Sequence, residues 1–251
     1  MIYPHPLHDA VRTHPYPLLF ATVSGAHLYG FPSPDSDWDL RGVHVLPARE
    51  VLGLHPIRET IDSDRVVGGL ELDLVTHDLR KFMALMLKPN GYVLEQLHSP
   101  LVVLTTREHA ELRDLGRRCV TRHHAHHYLG FSAGQWKLLN RDDPPRIKPL
   151  LYTFRTLLTG LHLMRTGEIE ANLEVLNTET RLPYLDDLIA QKRTGHEKEP
   201  LTGDLGFYET EFRRLTRQLE EAQVATHLPA NVEPEVEAEL SDLLVRLRLP
   251  I

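Results

Sequence analysis

Period-two alternation of apolar residues runs through the first ~105 residues of this 251-residue chain and then stops. Candidate strands are "LLFATVS" (18–24), "DWDLRGVHVL" (37–46), "RETI" (58–61), "LELDLVT" (70–76) and "LVVL" (101–104), rich in the β-branched and aromatic residues that suit a pleated surface. Residues 78–88 read as an amphipathic helix capped by Thr76 or Asp78 and stopped by Pro89-Asn90-Gly91, with Asn90 as its terminator. Beyond Thr105 only helical spacing is found, over 107–140, 146–166, 182–193, 206–226 and 232–248. The breaks fall at "DDPP" (142–145), "RLP" (181–183) and "HEKEPLTGD" (196–204). Such a chain predicts an α+β fold: a small mixed sheet in a head over 1–105, followed by an all-helical domain over 106–251.

The remaining bounds are compositional. With 41% hydrophobic residues the chain can bury one substantial core or two small ones. It has no run of about 18 apolar residues, so no membrane span is expected. Its start lacks the cationic-then-apolar order of a secretory signal. One cysteine, Cys119, excludes an internal disulfide and a Cys-built zinc site, and suits a reducing cytoplasm. The net charge of −7 argues against a protein that coats nucleic acid, yet residues 113–165 carry ten Lys/Arg against three Asp, a local +7 that leaves −14 on the rest. A basic face for phosphates would explain this asymmetry, and so would a solvated helix surface.

The chemistry gathers in "VSGAHLYGFPSPDSDWDLRGVHV" (23–45), where Asp35, Ser36, Asp37 and Asp39 follow a glycine-bearing turn. Strand alternation sends Asp37 and Asp39 to one face and Trp38 and Leu40 to the other. Two carboxylates this close stay ionised together only beside a cation, and hard oxygen ligands suit Mg²⁺. An edge strand with one wet face would give the same pattern. Two neighbours weigh for chemistry. Ser24-Gly25 ends the first strand, so backbone N–H groups there can approach a phosphate at a helix start. Downstream, "LELDLVT" supplies a third carboxylate, Asp73, with Glu71 on the same face and periodicity unable to choose between them. A phosphate turn, a carboxylate pair and a third carboxylate are the parts of a two-metal phosphoryl-transfer site.

These residues resemble the DNA polymerase β-like nucleotidyltransferase superfamily. More narrowly, "SGAHLYGFPSPDSDWDLRGVHV" followed by "DLVTHDLRKFMALMLKPNGYVLEQL" resembles the YcgL/RlaP-type nucleotidyltransferases over residues ~20–100, and more loosely beyond. The resemblance implies transfer of a nucleoside monophosphate from an NTP such as ATP to a hydroxyl, with pyrophosphate release and Mg²⁺ or Mn²⁺ as cofactor. Asp37 and Asp39 would hold metal, and Asp73 would bind metal and take the acceptor's proton. Ser24, Gly25, Ala26 and Ser36 would face the nucleotide. Arg41, on the face of Asp37 and Asp39, would pair with them or reach a phosphate. Lys148 and Arg155 of the helical domain would bind triphosphate across a cleft, although both could equally cover apolar surface with their stems. Ala26 departs from the family's Ser or Gly, which removes a hydroxyl but keeps the amide, and Ser24 is the neighbouring hydroxyl. An RNA end, a protein side chain or a small molecule would fit as acceptor, and a weakened nucleotide-binding module is the alternative to an enzyme.

"RHHAHHY" (122–128) raises a zinc-hydrolase reading, since His123 and His127 lie one helical turn apart. Without a carboxylate at HExxH spacing, packing histidines are the better account, and the resemblance would put His124 or His127 near the nucleotide or acceptor.

Overall fold

The computed structural model describes residues 3–196 and 200–249; positions 197–199, within the expected break at 196–204, lie outside these. The described chain divides into two compact units. One holds residues up to Gly25, Asp37–Cys119 and the segment from Asn231, and the other holds Ala26–Ser36 and Val120–Ala230. The linear boundary at 105/106 is therefore drawn differently in three dimensions: the helices over 107–118 and 234–248 belong with the strands, and an eleven-residue piece of the head belongs with the helices.

The strand-rich unit is built on five strands, β1 (Leu18–Val23), β2 (Trp38–His44), β3 (Thr60–Val67), β4 (Leu70–Asp78) and β5 (Val102–Thr105), in the order β3-β4-β2-β1-β5. Only β2 and β4 pair in parallel; the other neighbours are antiparallel. α1 (His5–Arg12) covers one face, where Leu7 and Ala10 join Ala21, Val23, Leu40, Leu72 and Leu74 in a buried cluster with Trp38 packed against it. The other face carries α4 (Leu79–Met86), α5 (Gly91–His98) and α6 (Arg107–Arg118), with α12 (Pro234–Arg248) packed on α4 and α6. A short α3 (Ala48–Val51) lies between β2 and β3.

Several local expectations shift. β3 runs six residues beyond the expected 58–61, because Gly68 and Gly69, at φ +61° and +83°, form the tight primed turn that lets it pair back on β4. β2 begins at Trp38, so Asp37 precedes the strand. Asp78, rather than Thr76, caps α4 by accepting from the Arg80 N–H. Asn90 does not end that helix; it starts the next one, its side chain accepting from the Tyr92 N–H at the head of α5. α1 had no counterpart in the sequence reading.

The helical unit packs α7 (His124–Arg141), α9 (Leu173–Thr180), α10 (Pro183–Thr194) and α11 (Leu205–Ala225) around α8 (Ile147–Thr166), which is buried over most of its circumference. The single helix expected over 107–140 is two, α6 and α7. The break carries no Gly or Pro. A long-range bond from the Arg122 N–H to the Pro229 carbonyl and a local one from the Thr121 N–H to His124 Nδ1 mark it. α9, capped by Asn172, was not expected. No helix among the described residues is long and apolar enough to cross a membrane.

Buried and half-buried histidines in the two units set an acid limit. Burial pushes His44 down to about 4, aided by nearby His14; burial, then Lys81 and Arg41, pushes His77 to about 4. Burial, then Arg117 and Arg113, takes His98 to about 3, and burial takes His124 to about 4. The unfolded chain binds these protons near 6.5, so the fold keeps their full contribution above that pH and loses it as pH falls toward 4. The melting temperature is expected to fall steeply between pH 6.5 and 4.5; a flat profile there would contradict the neutral, buried state of these rings.

Candidate active site

Parallel pairing of β2 with β4 places Asp39 directly across from Asp73. Facing carboxylates on adjacent strands repel, and the arginine two residues further along β2 answers the repulsion. Arg41 Nη2 donates to Asp39 Oδ1 at 2.6 Å and to Asp73 Oδ2 at 2.7 Å. Its Nη1 donates to the Asp73 and Leu40 carbonyls at 2.8 and 3.1 Å, and its Nε to the Tyr92 hydroxyl at 3.0 Å. Burial alone would lower the Arg41 pKa, but Tyr92, Asp39 and Asp73 outweigh it and the net shift is upward. The guanidinium is thus a fixed cation between the two carboxylates. Of the two residues that periodicity left equal, Glu71 is exposed, pairs with Val66 on β3 and receives no bond from Arg41.

The turn after β1 meets the same group. Gly25 has φ +60°, and a Cβ there would lie 1.7 Å from Asp39 Oδ2. Only glycine fits, both for backbone conformation and for room. The Ser24 N–H donates to the Asp39 carbonyl at 2.8 Å, while Ser24 Oγ is buried with no hydrogen-bond partner. Ser24, Gly25, Asp39, Arg41 and Asp73 are therefore one assembly. Asp37 lies one residue before β2 and lines, with Asp73, Asp64, Glu71, Arg65, Val66 and Leu72, an open cleft of about 440 Å³.

The other expected residues fall in the helical unit. Ala26 is buried in α2 (Gly25–Tyr29). Ser36 closes a turn, its Oγ accepting from the Ser33 N–H at 2.9 Å. Arg155 is almost wholly buried with its guanidinium 3.9 Å above the Tyr29 ring, and Lys148 Nζ sits 5.7 Å from the Tyr152 ring centre. Tyr92 is the site residue that sequence reasoning missed; its position three residues past a helix-stopping proline gave no chemical signal.

Divalent-metal chemistry suits Asp37, Asp39 and Asp73 in donor type, since all offer hard carboxylate oxygens, while Arg41 already supplies one cation to the Asp39–Asp73 pair. Among the described residues no group of three or more His, Cys, Asp or Glu is gathered as a preformed metal site. The same holds against zinc at the histidine run. His124 is buried on Thr121, His126 bonds Gln223, and His127 packs on Tyr128 and Phe131.

Comparison with known proteins agrees with the resemblance. The uncharacterized protein MJ0002 of Methanocaldococcus jannaschii is 30% identical over 156 residues, 61% of this chain and 63% of that protein. The chain thus spans less than two thirds of that relative's length. The uncharacterized protein YcgL of Bacillus subtilis is 28% identical over 218 residues, 81% of this chain and 82% of its own. A solved structure described as a nucleotidyltransferase-like protein from Exiguobacterium sibiricum 255-15 aligns over 87% of this chain and 75% of that one, at 12% identity and a TM-score of 0.33. Residues 4–246 match the family described as "RlaP: RNA repair pathway DNA polymerase beta family", and on that match the chain belongs to this family.

Proposed function

We propose that this protein is a divalent-metal-dependent nucleotidyltransferase that moves a nucleoside monophosphate from an NTP to a hydroxyl. The observation that carries the reading is the Asp39–Asp73 pair, in register on parallel strands, bridged by Arg41 and closed against Gly25. The acceptor oxygen forms a bond to the α-phosphorus as the bond from that phosphorus to the β-phosphate oxygen breaks, and pyrophosphate leaves. Asp73 takes the proton from the acceptor hydroxyl. Backbone N–H groups of the turn at Gly25 orient the triphosphate. Asp37 and Asp39, with Asp73, would hold Mg²⁺ or Mn²⁺, which supplies charge stabilisation on the reacting phosphate when bound. Lys148 and Arg155 as triphosphate contacts rest on the sequence resemblance. An RNA end is the acceptor we favour, because the family's description names an RNA repair pathway, and a reducing cytoplasm is the compartment that the lone cysteine suits.

Triphosphate and the carboxylates repel without a metal, so NTP is expected to raise the melting temperature with Mg²⁺ present and much less in EDTA. Equal shifts in the two conditions would count against this site. Incubation with each labelled NTP and Mg²⁺ or Mn²⁺, with RNA supplied, tests the transfer itself: label on RNA ends supports the proposed acceptor, and label on the protein redirects it.

A further inference from the structure

The piece of chain that joins the phosphate turn to the carboxylates, residues 26–36, is held from within the helical unit at successive points. Tyr29 and Phe31 pack edge-on against Tyr152, 5.4 and 5.7 Å between ring centres, and Arg155 lies over Tyr29. Arg193 Nη2 donates to the Gly30 carbonyl while its guanidinium forks onto Glu174. The last grip is the least expected. Lys192, on α10, has no solvent exposure, and its Nζ donates to Ser33 Oγ at 2.7 Å. Ser33 Oγ lies 3.0 Å from Ser36 Oγ, and the Ser36 N–H donates to the Ser33 carbonyl at 3.0 Å, closing the turn one residue before Asp37.

Burying an amino group is costly unless it is hydrogen-bonded, and an apolar side chain of similar length would fill the space as well. What a methionine would not supply is a donor to Ser33 Oγ. Ser33 Oγ and Ser36 Oγ hydrogen-bond to each other at 3.0 Å, and Ser36 Oγ also accepts from the Ser33 N–H. Lys192 is thus bonded to one serine of the turn, which is bonded to the other.

We infer that Lys192 is a positioning residue of the proposed transfer reaction, fixing the Ser33–Ser36 turn and through it the approach of Asp37. This rests on the nucleotidyltransferase reading. Lys192→Met, and separately the milder Ser33→Ala, are expected to lower kcat for labelled NMP transfer by about 10²-fold, the scale of a 1 Å misplacement. The melting temperature of the nucleotide-free protein should change little. Hydrogen exchange at residues 33–37 should rise in both variants. Wild-type kcat in Ser33→Ala overturns the inference, even if Lys192→Met fails to fold. If the wild-type protein transfers nothing, the nucleotidyltransferase reading fails. Exchange at 33–37 then judges Lys192 alone, with unchanged protection overturning its part in the turn.

Discussion

Asp73→Asn is expected to reduce NMP transfer by at least ~10²-fold, the scale of a positioned acid–base group, while Glu71→Gln leaves transfer close to wild type. The substitution keeps the shape of the side chain and removes both the proton acceptor and one of the two carboxylates on Arg41. The Asp73 carbonyl still accepts from Arg41 Nη1, and Asp39 still accepts from Nη2, so the strand end should stay in place. Nucleotide-dependent stabilisation through Asp37 and Asp39 should therefore largely survive in Asp73→Asn. Glu71 projects from the same strand at an exposed position, with β3 as its pairing partner. Loss of transfer in Glu71→Gln with tolerance of Asp73→Asn would move the third corner of the site from Asp73 to Glu71.

Gly25→Ala is expected to abolish the Mg²⁺- and NTP-dependent rise in melting temperature and to lower transfer by more than ~10²-fold, the cost of displacing a positioned group. An alanine at φ +60° carries a strain of about 1–2 kcal/mol. Its methyl carbon would also fall 1.7 Å from Asp39 Oδ2 and 3.1 Å from Asp39 Cβ, so rotating the carboxylate alone gives insufficient room. Asp39 must retreat, and its retreat opens the fork with Arg41. At about 2–4 °C per kcal/mol for a chain of this size, the melting temperature should fall by several degrees. A Gly25→Ala protein with wild-type melting temperature and transfer would show that the turn does not press on Asp39.

The two experiments probe features of different legibility. The aspartates of "SDWDLRG" and the glycine of the turn stand out in the sequence because each breaks a local rule: charges where a strand prefers apolar residues, and a residue free of Cβ at a strand end. That 78–88 is helical, with a cap at Thr76 or Asp78, also follows from local chemistry, since a side-chain oxygen and an amphipathic stripe act within a few residues of chain. Tyr92 and Lys192 break no such rule. A tyrosine in an apolar helix and a lysine near a helix end are ordinary in sequence, and their roles come from atoms 51 and 159 positions away in the chain.

By itself the sequence determined the strand-then-helix order and the face on which Asp39 and Arg41 emerge. Periodicity assigns a side chain to a face because strand geometry is local. Only the tertiary structure decided which residues meet. The parallel register of β2 and β4 set Asp73, and not Glu71, opposite Asp39, since a shift of pairing changes every cross-strand partner while leaving the sequence pattern untouched. It likewise split 107–140 into two helices, with Arg122 bonded to the distant Pro229 at the break, and it drew residues 26–36 out of the head and into the helical unit, where Lys192 holds them.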